Sequence, residues 1–380
     1  MTPDQLQLLL NKQFTIPVEI RNDTFANNRP YRQINRLGQT GFTFTGKELL
    51  HAIGSKTAAL PANNMDDCIN SAYLYANILD FDGANFGYKP NLDMDSDLQT
   101  NRSNEIGIGI GCLLANKQFN IDWDTLESIK GLGKRFDYRG KKRNRKHAYE
   151  FKGTKYRQKQ NSQIESGVEK KLEMHARAEN YDVELIISTF LGSSDQEPRI
   201  ILADPPFDGY SGEYNRVSEI VYSFRHLSRL AQFMGNTPLG RTLYLQARKM
   251  QEEKNLTKTQ LFGNRVIINE ADRINTLFEN GKLINIHLDG ENYIGRWVDS
   301  WLPESKNLTK SNEKKSRLNL SKNLEIFQGI NLKLYQHMTE NQRKDSKTAL
   351  RFDKNNDKFL NSQYFSTFTD GTIMGYRLKT

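Results

Sequence analysis

Two short segments decide the fold of this chain: KRFDYRG at residues 134–140 and HAYEFKGT at residues 147–154. Each segment predicts a β-strand, and each ends at a glycine, a residue typical of turns. The polar run Lys141–Lys146 between them predicts a loop. Together they predict a β-hairpin with a long basic tip.

The second predicted strand separates two kinds of side chain. Successive residues of a strand point to opposite faces, so Glu150 and Lys152 share one face while Tyr149 and Phe151 share the other. We expect the aromatic face to be buried. The polar pair is then expected to line a surface or a cleft.

A helix is predicted next, over residues 160–180. Gln163, Gly167 and Lys170 recur at helical spacing, and beside them runs an apolar stripe of Ile164, Val168 and Leu172. Two apolar runs follow, Val183–Phe190 and Arg199–Ala203, typical of central strands covered on both faces. The order hairpin, helix, strand, strand predicts a mixed α/β sheet with a crossover helix.

This arrangement resembles the PD-(D/E)XK nuclease superfamily, whose core is an αβββαβ unit with an acidic residue on one strand and an acidic-x-lysine triplet on the next. The resemblance covers roughly residues 100–205. Asp137 corresponds to the first acidic position, Glu150 to the second and Lys152 to the lysine. Gln160 or Gln163 corresponds to the polar residue often found on the following helix.

The resemblance implies a metal-dependent nuclease that hydrolyses phosphodiester bonds. Asp137, Glu150 and the backbone carbonyl of Phe151 would hold Mg²⁺ or Mn²⁺, and Lys152 would position the attacking water and stabilise the charged phosphorane. Oxygen ligands with several waters suit Mg²⁺. A zinc module is disfavoured because the six histidines are scattered and the two cysteines, Cys68 and Cys112, are isolated.

Two further positions are compared with the superfamily pattern, the residue before Asp137 and an acidic residue on the preceding helix. Phe136 stands where the superfamily usually has a proline. An acidic residue often lies on the helix before the first strand, and Glu105, at the start of the glycine-rich run 104–115, is the candidate for it, with Glu127 second. Both would be site residues by resemblance alone.

Basic residues concentrate around the proposed site. The formal net charge of the chain is +9, which favours a polyanionic partner. We expect nucleic acid, double-stranded DNA rather than RNA, bound in a strongly salt-dependent way. A solvated charged loop explains the run 141–146 equally well. The residues predicted to contact nucleic acid are Arg139, Lys141, Lys142, Arg143, Arg145, Lys146, Lys155 and Arg157.

A second enzyme class competes. Asp204-Pro205-Pro206-Phe207 after an apolar run resembles the catalytic element of DNA amino-methyltransferases, and residues 106–111 offer a Gly-x-Gly-x-Gly string for the methyl donor. A donor loop should follow an apolar strand, whereas residues 98–104 are polar. The prolines are also explained by a strand end, because proline cannot extend a ladder. A non-catalytic nucleic-acid-binding protein is the third hypothesis.

The rest of the 380-residue chain predicts flanking regions. Residues 1–95, helical and irregular, form an N-terminal cap or a partner or specificity region. Residues 96–260 form the restriction-endonuclease-like core of mixed sheet, with a helical extension at 214–234 and 241–254. Residues 261–380 form a β-rich domain with two hairpins, each turning at an Asp-Gly pair. The fold class is therefore α/β (α+β).

The sequence also predicts where the protein is located, and the resemblance suggests a biological setting. No targeting segment or membrane-spanning run is visible, so we expect an intracellular, cytoplasmic protein with no membrane partner. A role for an endonuclease in restriction or antiviral defence is an analogy with the superfamily. The sequence leaves open a homodimer and an activating protein partner.

Overall fold

Two six-stranded sheets organise the chain. The structure is a computed structural model, and it describes residues 3–21, 31–57, 75, 78–80, 86–88, 96–129, 133–143, 145–176, 181–193, 196–204, 216–252, 283–299, 324–339, 357–360 and 363–378. The predicted α/β class, with a mixed sheet and a β-rich C-terminal region, is confirmed.

Helices and strands are numbered in chain order over these residues. The helices are α1 (Pro3–Asn11), α2 (Tyr31–Thr40), α3 (Gly46–Lys56), α4 (Ser96–Phe119), α5 (Lys159–Ala176), α6 (Arg216–Phe233), α7 (Thr237–Glu252) and α8 (Leu332–Thr339), with a 3₁₀ turn at Trp123–Thr125. The strands up to the end of the first sheet are β1 (Gln13–Ile16), β2 (Val18–Ile20), β3 (Phe42–Thr45), β4 (Leu79–Asp80), β5 (Gly87–Tyr88), β6 (Glu127–Ser128), β7 (Tyr138–Lys142), β8 (Arg145–Thr154), β9 (Val183–Phe190) and β10 (Arg199–Ala203). The C-terminal strands are β11 (Ile284–Leu288), β12 (Glu291–Asp299), β13 (Leu324–Asn331), β14 (Asp357–Leu360), β15 (Gln363–Thr367) and β16 (Thr372–Leu378).

The first sheet has the strand order β2-β10-β9-β8-β7-β6. Strands β6, β7 and β8 form an antiparallel meander, and α5 then connects β8 to β9, which runs parallel to it. The predicted order of hairpin, helix, strand and strand is confirmed. The predicted bounds of the two apolar strands, β9 and β10, are also confirmed. Each of these strands is buried over nearly its whole length, as expected for strands covered on both faces.

The predicted loop at Lys141–Lys146 is wrong. Strand pairing continues to Lys142 opposite Arg145, while the first strand begins at Tyr138 rather than at Lys134. Arg143 has a φ of 54°, in the left-handed region that tight hairpin turns require. A run of charged residues therefore does not end a strand when a tight hairpin turn can form and the charged side chains reach water.

Helix α4 covers the aromatic face of β8. A Cβ atom on Gly107 would lie 2.4 Å from the Cα of Gly153, and one on Gly111 would lie 2.4 Å from the ring of Phe151. The glycine string 106–111 is thus a seam that lets a helix touch a strand. It does not form the donor loop that a methyltransferase requires.

Helix α5 covers the opposite face, so both faces of β8 are buried. Of the polar pair predicted to line a surface or a cleft, Glu150 is 0% exposed and the Lys152 side chain is 21% exposed, so the pair does not lie on an open surface. The apolar residues beneath α5 are Phe136, Ala148, Ile164, Met174, Ile186, Ile201 and Ala203. The predicted stripe on α5 is wrong at Leu172, which is 51% exposed, because the buried position is taken by Lys171.

The N-terminal region contributes to the core sheet. Strand β2 pairs in parallel with β10 at the sheet edge, and α3 packs against α4. One apolar cluster contains Leu6 and Phe42 from this region together with Leu185 of β9 and Tyr376 of the C-terminal sheet. Residues 58–74 and 76–77, including Cys68, lie outside the described residues.

The C-terminal sheet is antiparallel throughout, in the order β11-β12-β13-β16-β15-β14. Both predicted Asp-Gly hairpins are confirmed; Asp289 and Gly290 have φ values of 52° and 80°. The turn between β15 and β16 joins this sheet to α3, where His51 lies 3.0 Å from Asp370 and stacks on Phe368. The link predicted at 303–322 lies outside the described residues.

The two helices predicted at 214–234 and 241–254 are confirmed as α6 and α7, which span Arg216–Phe233 and Thr237–Glu252 among the described residues. Across the described residues no helix has the length and apolar content needed to cross a membrane.

The glycine seam gives a stability prediction. Gly107→Ala should destabilise the protein by about 1–3 kcal/mol, because its Cβ meets backbone that cannot move without separating α4 from β8. Gly109→Ala should cost less, since the closest atoms to its Cβ belong to the side chains of Ile53 and Leu49, which can shift, and alanine favours the helix. Urea unfolding of both variants checks this order, and equal stabilities would contradict it.

Candidate active site

Four charged side chains converge between β8 and α5: Asp137, Glu150, Lys152 and Lys170. The Lys152 Nζ atom lies 2.9 Å from Asp137 Oδ2 and 2.9 Å from Glu150 Oε1. The Lys170 Nζ atom lies 3.0 Å from Asp137 Oδ1 and 2.6 Å from Glu150 Oε1. Each ammonium group therefore bridges the two carboxylates, and we call this group the tetrad.

Asp137 is positioned by the residue before it. Phe136 is fully buried beneath α5, and its N–H donates to the Sδ atom of Met174 at 3.0 Å. The carbonyl of Asp137 accepts from the N–H of Ile129 at 2.8 Å. A proline at position 136 would lack that N–H, so burial of the aromatic ring and the sulfur contact fix the segment here.

Glu150 and Lys152 lie on β8 at the point where its neighbour diverges. Pairing of β7 with β8 ends at Tyr138 opposite Tyr149. The sheet order gives β8 only β9 and β7 as neighbours among the described strands, so the β7 side of Phe151 has no described strand partner. Its backbone therefore lies where the ladder opens, beside the tetrad.

Helix α5 supplies the remaining polar groups. Gln163 accepts a hydrogen bond from Ser188 at 2.7 Å and donates to the carbonyl of Gly153 at 3.3 Å, next to Lys152. Gln160 is fully buried and bonds to Arg199 and to backbone carbonyls, so its role is structural. Of the two candidate glutamines, Gln163 is the one adjacent to the tetrad.

Burial controls the electrostatics of the tetrad. Desolvation raises the pKa of Glu150 and the neighbouring Asp137 carboxylate raises it further, while both lysines oppose the shift. Burial alone would lower the pKa of Lys152, but the two carboxylates outweigh it and raise that pKa above its usual value. Lys152 is therefore a cation at every physiological pH.

The oxygen atoms of the tetrad fit a hard cation. Glu150 Oε2 is buried and has no hydrogen-bond partner, so it can accept a metal ion. The Asp137 side chain is 28% exposed, which leaves room for bound water. Among the described residues, no group of three or more His, Cys, Asp or Glu side chains is placed to hold a metal ion.

Neither Glu105 nor Glu127 joins the tetrad. Glu105 lies on α4, which packs on the other face of β8, and bonds to Tyr75 and Arg102. Burial raises the pKa of Glu105 to about 7, even with Arg102 2.9 Å away. Glu127 accepts two hydrogen bonds from Arg139.

The basic residues lie at both ends of β8. Lys141, Lys142, Arg143, Arg145 and Lys146 form the tip of the β7–β8 hairpin, and a strand rise of about 3.3 Å per residue puts Arg145 roughly 16 Å from Glu150. Lys155 and Arg157 lie in the connection from β8 to α5. Arg139 is paired with Glu127, and Lys155 donates a hydrogen bond to Gln99.

A second charged cluster lies farther along α5. Lys171 contacts Asp204 at 2.8 Å and Glu184 at 3.4 Å, and His175 contacts Glu184 at 2.6 Å. Asp204, the first residue of the methyltransferase-like motif, is thus engaged by a lysine; residues 205–207 lie outside the described part of the chain.

Lys170 is the site residue that the sequence analysis did not assign. Its helical spacing from Gln163 and Gly167 placed it on their face of the helix. This face points at the sheet, because Gly167 packs directly on Ile186 of β9. The spacing was the available signal, but a lysine on a helix is usually solvated.

The tetrad predicts strong coupling between its charges. In a double-mutant cycle of Lys152→Met and Glu150→Gln, we expect a coupling energy of about 2 kcal/mol in EDTA, since each single change leaves a buried charge less compensated. The control cycle uses Lys134→Met and Glu169→Gln, a pair 3.1 Å apart with both side chains more than half exposed. It should give a much smaller coupling energy, because water screens an exposed ion pair. Urea unfolding measures both, and equal coupling would contradict the prediction.

The chain was compared with protein-family models, with curated proteins and with solved structures, and none of these comparisons found a match. Any functional proposal therefore rests on the geometry of the tetrad and its surroundings.

Proposed function

We propose that this chain is a metal-dependent nuclease that hydrolyses phosphodiester bonds. The observation that carries the proposal is the convergence of Asp137, Glu150 and Lys152 at the point where β7 and β8 diverge. The order α4-β6-β7-β8-α5-β9 supports it, because it is the αβββαβ order of the PD-(D/E)XK superfamily.

Asp137, Glu150 and the carbonyl of Phe151 would hold Mg²⁺ or Mn²⁺. Such an ion, when bound, activates water and neutralises charge on the phosphoryl group. The buried Glu150 carboxylate supplies a fixed ligand, and the half-buried Asp137 carboxylate supplies one that water can reach.

Lys152 supplies positive charge rather than a base. The two carboxylates raise the pKa of Lys152 in the metal-free protein, so its Nζ atom is protonated there and can donate to a non-bridging phosphate oxygen or to the attacking water. Charge-assisted donors of this kind stabilise negative charge that develops in the transition state. The two carboxylates orient the ammonium for that purpose.

The substrate class follows from charge placement. Basic residues lie at the hairpin tip on one side of the tetrad and at Lys155 and Arg157 on the other. A polyanion that crosses the site would contact both groups. We propose DNA as this polyanion, with RNA as the alternative that the same assay tests.

The cleavage assay tests the function directly. Wild-type protein should cut DNA with Mg²⁺ or Mn²⁺ and not with EDTA, whereas Glu150→Gln and Lys152→Met should lower the rate at least about 100-fold. Glu169→Gln, a change on the outer face of α5, should cut like wild type. Supercoiled DNA, linear DNA and single-stranded RNA are incubated in parallel.

A cleaving Glu150→Gln variant would point to a contaminating nuclease and refute the assignment of the site. Binding of DNA without cleavage under any metal condition would favour a non-catalytic nucleic-acid-binding protein.

The hairpin tip predicts how DNA binding responds to salt. The double variant Lys142→Ala, Arg145→Ala should weaken binding equally for unrelated DNA sequences and reduce the slope of log affinity against log salt by about 2, if each residue neutralises one phosphate. Lys333→Ala, which removes an exposed lysine of α8, is the control and should leave the slope unchanged. Fluorescence anisotropy at several salt concentrations measures it; an unchanged slope in the double variant would exclude the tip from the interface.

A further inference from the structure

Lys170 occupies the same carboxylate pair that the proposed function assigns to a metal ion. Its Nζ atom contacts Asp137 and Glu150 at 3.0 and 2.6 Å, and the contact with Glu150 is shorter than that of Lys152. Two carboxylates therefore face two ammonium groups. The tetrad is electrically balanced without any further cation.

A divalent ion cannot join this group unchanged. Adding it while both lysines stay would place four positive charges against two negative charges, in a site whose side chains are all less than one third exposed. Like charges at such distances repel strongly where water is scarce. One ammonium group has to leave the carboxylates.

The attachment of each lysine indicates which one leaves. Lys152 lies on β8 two residues from Glu150, on the same face of the same strand, so it stays beside that carboxylate. Lys170 reaches the pair from α5 and is 18% exposed. One turn along the helix, Glu173 offers an alternative carboxylate at i+3, and it is 42% exposed.

We propose that Lys170 is a built-in counter-cation, which neutralises the Asp137–Glu150 pair in the metal-free protein and is displaced when a divalent ion binds. The inference rests on the proposed function for the presence of the metal. It adds that Lys170 lowers the affinity for metal and keeps the two carboxylates together until the ion arrives. Lys170 is thus a positioning residue of the empty site.

Metal affinity tests this inference without any cleavage step. Isothermal titration with Mn²⁺ should show that Lys170→Met binds the ion at least about tenfold more tightly than wild type, since no ammonium competes. Lys170→Arg keeps the charge and should bind no more tightly than wild type. Lys159→Met is the matched control: it removes another cation of α5, whose Nζ atom lies 5.1 Å from the ring centre of Tyr156, and should leave Mn²⁺ affinity unchanged.

Stability provides the second measurement. In EDTA, Lys170→Met should unfold at lower temperature than wild type, and saturating Mn²⁺ should raise its unfolding temperature more than it raises that of wild type or of Lys159→Met. If Lys170→Met proves too unstable to titrate, Lys170→Gln replaces it. Weaker or unchanged Mn²⁺ binding in the folded variant would overturn the inference, as would the absence of Mn²⁺ binding in every variant.

The cleavage assay tests the nuclease proposal and the Mn²⁺ titration tests the role of Lys170, so one can fail while the other holds. Tighter Mn²⁺ binding by Lys170→Met in a protein that cuts no nucleic acid would leave the counter-cation in place and remove the nuclease proposal. Metal-dependent cleavage by wild type, together with unchanged Mn²⁺ affinity in Lys170→Met, would support the nuclease proposal and overturn the counter-cation inference.

Discussion

The buried carboxylate of Glu150 is the constraint on which the site depends. A carboxylate removed from water needs compensating charge, because the desolvation of an unpaired ion costs several kcal/mol. Two lysines supply this charge, one from the same strand and one from α5. The helix must therefore lie close enough for Lys170 to reach, and the glycine at position 167 permits that approach by packing on Ile186.

The strand that carries the site is fixed from both sides. On its aromatic face, the backbone of β8 touches the backbone of α4 at Gly107 and Gly153. On its other face, α5 packs over an apolar cluster that includes Phe136. Small residues set the distance on one face and large residues fill the space on the other. Glu150 therefore lies on a strand fixed from both faces, which suits a site that must hold fixed geometry, while Asp137 lies one residue before β7.

Local periodicity explains what the sequence could predict. Alternation along β8 paired Glu150 with Lys152, and the apolar runs gave β9 and β10, because these patterns depend on neighbours in the chain. Lys170 could not be assigned to the site, since only the tertiary packing of α5 tells a buried lysine from a solvated one. The same limit applies to Leu172, whose exposure depends on the rotation of the helix, and to residues 141–146, where strand pairing outweighed the polar composition.

The edge strand β2 has a consequence for the order of folding. Glu19 on β2 and its ion-pair partner Arg199 on β10 are separated by 180 residues. Contacts of such long sequence separation form late, because closing a loop of that size has an entropic cost that earlier contacts must offset. During synthesis, the N-terminal segment leaves the ribosome long before β10 exists. Strand β2 therefore gains its partner β10 only after the core between them has been translated, whereas β1 of the same segment can pair with β3 much earlier.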